Sequence, residues 1–329
     1  MSIALGLNSL SNVRFSDNQI SSVYLGTNLV WSSYNYILDL YPTSVHHAYS
    51  LRKLRSAYGG FCLRIRRTTT TPTVTTTTVD LNFDSNNTIS LNSPITYASG
   101  ASTTATNLGQ FCASVVNGYT NPDGVNTNQN ILVVTWYDQS GNGKNPTQGT
   151  AGNQPRLVNL GNLELSGGKV AVRFVRASST RLSITDTTAN INNMSSYFVG
   201  AYVTTTVNSI GYSLSTVNRF YLPNATPAGF TYAGYGAAAT AMLLETTTTN
   251  RRLYQLIAPT TGSTTLAQGW LNGIPKATVA LVNGATANIT LGTAATVFFD
   301  GYIQEVIGWQ TNANRVEKET NINSYWTIY

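Results

Sequence analysis

Thirteen carboxylates make up the whole acid inventory of this 329-residue chain, so each can be weighed for chemistry. The best placed is Asp138, within the stretch NILVVTWYDQSGNGK from Asn130 to Lys144. There an apolar run, Ile131-Leu132-Val133-Val134, suits a strand buried on both faces. It passes through Trp136 and Tyr137 into a polar turn, Asp138-Gln139-Ser140-Gly141-Asn142-Gly143. Aromatic faces beside a carboxylate and amides at a strand end are the equipment of a sugar site, because the ring stacks on the aromatic and the hydroxyls are hydrogen-bonded. Trp136, Asp138, Gln139 and Asn142 are therefore the first candidate carbohydrate contacts, with Trp270 and Asn272 as a second group. A bland reading competes: a carboxylate entering a Gly/Asn loop accepts backbone N–H bonds and holds the turn, and a Trp in a strand is commonly core. For Asp138 the turn-holding role is favoured.

Among the other acids, Glu245, Asp300 and Glu305 lie in or beside apolar runs, Asp39 and Asp80 less clearly so. Glu305 sits inside an alternating strand and reads as a fold residue paired to an arginine. His46 and His47 are adjacent, and no Cys/His/carboxylate spacing completes a metal set; neither a metal nor another cofactor is expected. No Gly-rich phosphate loop and no Ser/His/Asp order is present. Cys62 and Cys112 each follow a Phe in apolar context and read as buried free thiols.

Charged residues are only 10% of the chain, against roughly 25% in ordinary soluble domains. Thr, Ser, Asn and Gly supply the surface instead, as in a shell, a fibre or an adhesin. The net charge of +6 is concentrated in Arg52, Lys53, Arg55, Arg64, Arg66 and Arg67. Clustered cations raise nucleic-acid binding. In Leu63-Arg64-Ile65-Arg66, however, the arginines alternate with apolar residues and fall on the solvent or partner face of a strand, so nucleic acid is not the expected partner. No basic, apolar leader is visible at the start, and no apolar run approaches the ~18 residues of a membrane helix, so membrane insertion is not expected. An adhesin-like surface without an export signal fits a virus particle assembled in the host cytoplasm.

Val23 to Trp31 reads as two short strands about Gly26-Thr27-Asn28. Ala48, Leu51, Leu54 and Tyr58 fall at helical spacing before Gly59-Gly60, which predicts a helix over 48–58. Strands are expected at Cys62–Arg67 and, across the threonine run Thr68–Thr78 with its Pro72 turn, into Val79–Phe83. A short helix is expected between Phe111 and Gly124. From residue 154 onward, β runs alternate with turn clusters at the rhythm of an antiparallel sandwich. Asn272-Gly273 marks a hairpin; Tyr302, Gln304 and Val306 share a strand face; and Asn314–Tyr325 reads as a helix capped by Asn312 or Asn314.

The "VYLG…LVW" string in residues 1–33 resembles a short β module found at the ends of bacteriophage structural proteins. The resemblance implies an attachment module, 1–33, using Tyr24, Leu25, Val30 and Trp31. Downstream, "WLNG" and "DGYIQEVIGW" followed by a helix resemble the closing strands of concanavalin-A-like (laminin-G-like) jelly rolls. "AYSLRKLRSAYGGFCLRIRR", "FCA" and "VTWYDQSGNGK" resemble the catalytic jelly roll of the α-L-arabinofuranosidase B family. Together these cover roughly 36–326 and imply an all-β concanavalin-A-like sandwich over 34–329 with a few short helices. A retaining glycosidase needs two carboxylates about 5–5.5 Å apart. Where that family's acid follows the terminal strand, this chain has Gly308-Trp309-Gln310-Thr311-Asn312, without a carboxylate. The expected function is a bacteriophage virion structural protein, a homo-oligomer bound to capsid or tail subunits and displaying a lectin-like jelly roll to host-surface glycans. An arabinofuranosidase-like hydrolase is the alternative.

Overall fold

The computed structural model describes residues 36–329 except for 68–77, 98–102, 126, 187, 189–193, 204–208, 215–217, 223–229, 235–240, 247–248, 258–265, 281–287 and 295; between 14 and 32, and in several later strands, it describes backbone alone. Strands dominate, gathered into several antiparallel sheets with a few short helices between them. Seven strands position the site: β1 (Val45–Ser50), β2 (Ile131–Trp136), β3 (Leu182–Thr185), β4 (Ser195–Tyr202), β5 (Ser209–Leu214), β6 (Asn288–Leu291) and β7 (Gly301–Trp309). The helix α1 spans Arg315–Trp326.

Strand β7 is the axis of a thirteen-stranded sheet. One of its edges pairs with β4 throughout, while the other is shared, first with Val172–Phe174 and then with β1. The change of partner falls at Gln304, where the register against β4 shifts by a bulge. A bulge bends its strand and leaves one residue unpaired. The Gln304 amide closes the resulting gap by donating to the carbonyls of Ser166, Lys169 and Val170. The alternation expected for Tyr302, Gln304 and Val306 is interrupted by this bulge.

Strands β3, β6 and β5 begin a six-stranded sheet, continued by Asn218–Leu222, Phe230–Gly234 and Ala241–Thr246. The two sheets meet where β5 crosses β4. A Cβ on Gly211, at a bulge in β5, would lie 2.5 Å from the Phe198 ring, so only glycine permits this approach. Phe198, Tyr202, Tyr254 and Phe299 interlock around that crossing, with centroids 5.2–6.3 Å apart and mostly edge-to-face.

Several expectations are met in backbone. Ser22–Leu25 pairs with Asn28–Ser32. Asn272 (φ 48°) and Gly273 (φ 78°) turn Leu266–Leu271 into Ile274–Ala280. Cys62 and Cys112 are buried free thiols, both pushed up by burial, Cys112 to about 12. The threonine run 68–77 lies outside the described residues.

Two expectations are corrected. Residues 48–58 are not helical: β1 is a strand buried on both faces, and 51–58 is irregular. The open edge of β7 claims residues 45–50 for pairing, and Leu51 and Leu54 still reach the core from the irregular segment; tertiary pairing overrides the helical spacing. The short helix expected between Phe111 and Gly124 is present as the single 3-10 turn Val115–Asn117, and a further short helix, Leu108–Phe111, precedes it, capped by Asn107, which accepts from the Gln110 N–H at 2.9 Å. Helix α1 follows Asn314, but that residue is left-handed (φ 57°) and its side chain makes no cap.

Glu305 is paired to an arginine, as expected. Its fully buried carboxylate takes Arg52 Nε at 2.7 Å and Nη2 at 3.0 Å, and the Ser50 hydroxyl at 2.7 Å. Breaking a buried pair from one side strands the other charge. Glu305→Ala is expected to lose about 3–5 kcal/mol in urea denaturation; a loss below 1 kcal/mol would show that the pair does not hold the β1–β7 junction.

Candidate functional site

Strand β1 pairs with β7 on one edge only, and the other edge would leave buried N–H and C=O groups unpaired. The loop after β2 fills that edge. The Ala48 N–H donates to Asp138 Oδ1 at 2.8 Å, and the Gln139 N–H donates to the Ala48 carbonyl at 2.8 Å. The Gln139 amide donates to the carbonyls of Ser50 and Arg52 and accepts from the Leu54 N–H. Asn142 Nδ2 donates to the carbonyls of Val45 and His46. Asp138 also accepts from the Ser140 N–H and hydroxyl and from the Lys144 N–H. Burial raises its pKa, and those donors, with Ala48, partly offset the rise. The loop is a surrogate strand made of side chains.

Strand β1 thereby holds a buried polar chain. Tyr212 OH lies 2.8 Å from His47 Nε2, His47 Nδ1 lies 2.8 Å from His46 Nδ1, and His46 Nε2 lies 3.0 Å from Asp186 Oδ2. Asp186 also accepts from Lys144 Nζ at 2.7 Å and from the Thr188 N–H. The His46–Asp186 contact is an electrostatic one, off the ring N–H direction, since neither atom gains a well-aligned hydrogen bond. Burial, then the Lys144 ammonium, lowers His46 to about 4 against the pull of Asp186. His47 is also held well below its ordinary value, first by burial. Both rings are therefore neutral at pH 7. A proton on His46 Nε2, facing Asp186, makes His46 Nδ1 an acceptor; His47 then donates to it and accepts from Tyr212. Burial pushes Asp186 up, but bonds from Lys144 and Thr188 outweigh it and bring its pKa to about 2. Among the described residues no group of three His, Cys, Asp or Glu is arranged to hold a metal ion.

Asp186 directly follows β3, and β3 lines an open groove of about 420 Å³. Its walls are Arg181, Ser183, Ile184 and Thr185 from β3 and its approach, Asn288 and Thr290 from β6, and Thr293 and Phe298 beyond. The register pairs Ser183 with Thr290 and Thr185 with Asn288, while the alternating partners Leu182 and Leu291 are buried. Strand alternation thus presents the hydroxyls and amide on the groove face. Thr147 joins this edge to β2 by bridging Thr135 and Ser183.

The sequence candidates are distributed otherwise than expected. Trp136 is fully buried near Tyr49, so it has no face to offer a sugar; the β2 strand end lies inside the core, not at the rim. Asp138 and Gln139 are buried and bonded to β1, the turn-holding role that the sequence favours for Asp138. Asn142 is exposed, with its Nδ2 bound to β1. Trp270 is half-buried and one ring face is covered by the Arg315 guanidinium, 3.5 Å from its centroid. Asn272 Oδ1 accepts from the Leu253 N–H. Trp270 and the 138–142 loop are not brought together: four strand spacings, on the order of 19 Å, separate β1 from the strand of Trp270. The side chains of Tyr24, Leu25, Val30, Trp31 and Glu245 lie outside the described residues.

Asp300 accepts from Arg173 at 2.6 Å. The cation cluster is dispersed: Arg52 binds Glu305, Arg64 binds Asp80, Arg66 binds Gln154, and Arg67 is buried against Asp123. Arg64 and Arg66 are partly exposed, as their alternation predicts. No helix among the described residues is long and apolar enough to cross a membrane. Sequence reasoning missed the His46–Asp186–Lys144 chain and the groove, whose residues come from segments with no common local spacing.

No family model matches the chain, and no curated protein matches its sequence. Solved structures do resemble it. A GH54 α-L-arabinofuranosidase soaked with a cyclic sulfate inhibitor matches 89% of this chain and 65% of its own at 16% identity, with a TM-score of 0.50. A mutant GH54 enzyme soaked with 4-nitrophenyl α-L-arabinofuranoside gives 18% identity over the same shares and a TM-score of 0.49. An arabinofuranosidase complexed with arabinofuranosyl-α-1,2-xylobiose gives 16% identity, 86% of this chain, 64% of its own and a TM-score of 0.44. The chain spans about 65% of the length of the first two. The likeness is one of fold, a sandwich of antiparallel sheets.

The polar chain has a pH signature. His46 binds its proton at about 4 in the fold and near 6.5 when unfolded. The unfolded state therefore takes the proton first, and stability falls as pH drops from about 6.5 through about 4. His47 acts in the same sense, and Asp186 adds its loss only below 3.8. Asp138, raised by burial, opposes them in the acid range. The urea midpoint of the wild type is expected to fall more steeply between pH 6.5 and 4.5 than that of His46→Gln; parallel curves would contradict the buried-neutral assignment.

Proposed function

We propose that this protein is a glycan-binding component of a bacteriophage particle. In this reading residues 1–33 attach it to capsid or tail subunits through Tyr24, Leu25, Val30 and Trp31. Residues 34–329 form a lectin-like jelly roll, displayed as a homo-oligomer on the virion surface after assembly in the host cytoplasm. The observation that carries the binding half is the groove along β3 and β6. Its volume of about 420 Å³ lies within the roughly 300–1,000 Å³ of small-molecule sites. One aromatic, one cation and a row of hydroxyl and amide groups line it, which is what a polyhydroxylated ring with one apolar face requires. Asp80, Asp123, Asp138, Glu164, Asp186, Asp300, Glu305 and Glu319 are engaged by cations or by backbone and hydroxyl donors. That commitment supports binding over hydrolysis. A surface poor in charge and the "VYLG…LVW" string support the particle.

The likeness of fold to an arabinofuranosidase over 89% of the chain favours a second reading, a glycoside hydrolase acting on surface polysaccharide, with Glu245 and Asp300 as the acids to test. Oligosaccharide binding is expected on a glycan array and to weaken about tenfold in Phe298→Ala, the loss of one stacking platform. Absence of binding by folded protein would end the reading. Release of 4-nitrophenol from its arabinofuranoside, abolished by Glu245→Gln, would replace it with the hydrolase. Deletion of residues 1–33 is expected to abolish incorporation into particles; unchanged incorporation would remove the attachment role.

A further inference from the structure

We infer that the groove along β3 and β6 takes a carboxylate-bearing saccharide, with Arg181 receiving the carboxylate; the inference rests on the glycan-binding reading of that groove. Six of the described arginines spend their guanidinium on an internal acid: Arg52 on Glu305, Arg64 on Asp80, Arg67 on Asp123, Arg156 on Glu164, Arg173 on Asp300, Arg315 on Glu319. Arg181 does not. Its Nη1 donates to the Ser179 carbonyl at 3.2 Å, and its guanidinium carbon lies 5.6 Å from the centroid of Phe298. Among the described residues it has no carboxylate partner. No groove residue is acidic. The two carboxylates nearest along the chain are already neutralised, Asp186 by Lys144 and Asp300 by Arg173.

A half-buried cation without a counter-ion is a standing demand for an anion. Guanidinium answers it best with a planar, two-oxygen group, because two of its N–H bonds align with the two oxygens. Held at Ser179 and along Phe298, the Arg181 head is positioned before any ligand arrives, so less side-chain entropy is lost on binding. Phe298, itself half-buried, lines the groove beside Arg181, and an aromatic ring is suited to the apolar face of a sugar. Ser183, Thr185 and Asn288 carry no internal side-chain hydrogen bond among the described residues and are open to ring hydroxyls. Thr290 is not, since its hydroxyl donates to the Thr293 carbonyl. A neutral pentose would satisfy the hydroxyls and leave Arg181 unanswered; a uronate or sialate satisfies both.

The test uses the full-length protein and an array of uronate-, sialate-, sulfate-bearing and neutral oligosaccharides, followed by titration with the best acidic ligand and its carboxyl-reduced twin. The acidic form is expected to bind at least about tenfold tighter than its reduced twin, with the difference shrinking as salt rises. Arg181→Gln is expected to erase the difference and Arg181→Lys to keep part of it. Equal affinity for acid and reduced twin would overturn the inference while leaving the glycan reading intact, as would retention of sulfated sugars alone. If no saccharide binds a protein with wild-type melting behaviour, both fall. Should Arg181→Gln fail to fold, the wild-type comparison of acid with reduced twin and its salt dependence decide the matter.

Discussion

The unpaired edge of β1 is the constraint on which the rest depends. That strand is buried on both faces and pairs with β7 on one side, so its outer edge must find donors and acceptors inside the protein. Asp138, Gln139 and Asn142 provide them, with side chains in place of a neighbouring backbone. Two consequences follow from this one clamp. It fixes β1 against β7, where Arg52 and Glu305 form their buried pair. It also fixes His46 and His47, which reach in opposite directions to Asp186 and Tyr212. Lys144 closes the circuit, since its N–H binds Asp138 and its ammonium binds Asp186.

The groove inherits its position from that circuit. Asp186 directly follows β3, and Thr147 ties β3 to β2, so one wall of the groove is anchored to the same loop that clamps β1. The rest of the lining comes from the neighbouring strand β6 and from Phe298, just before β7. A rigid scaffold thus holds small polar side chains at its surface, and many of the described carboxylates, among them Asp80, Asp123, Asp138, Asp186 and Glu305, are engaged as structural partners. Fold alone does not carry activity; binding and hydrolysis on such a fold differ in where the carboxylates go.

Parts of this were legible in the sequence because their cause is local. A carboxylate before Ser-Gly-Asn-Gly reads as a turn holder, and Asp138 is one. Asn272-Gly273 reads as a hairpin because both residues tolerate positive φ. Glu305, inside an alternating strand, reads as ion-paired. What failed was non-local. The spacing of Ala48, Leu51, Leu54 and Tyr58 is helical, yet β7 offers an edge from more than 250 residues away and takes residues 45–50 as a strand. Trp136 looked like a rim aromatic because nothing in its own stretch says that β2 ends beneath the loop rather than at the surface. The groove was invisible for a compositional reason: Ser183, Thr185, Asn288 and Thr290 are common residues in a chain full of them, and only strand register makes them neighbours.

The most direct test of this account is to map backbone amide shifts of the folded protein on titration with a bound acidic oligosaccharide. The account predicts movement at Ser183, Thr185, Asn288 and Phe298, with Asp138, Gln139 and Ser140 unmoved. Shifts centred on 138–142, with the β3–β6 groove silent, would contradict it and return the site to the loop.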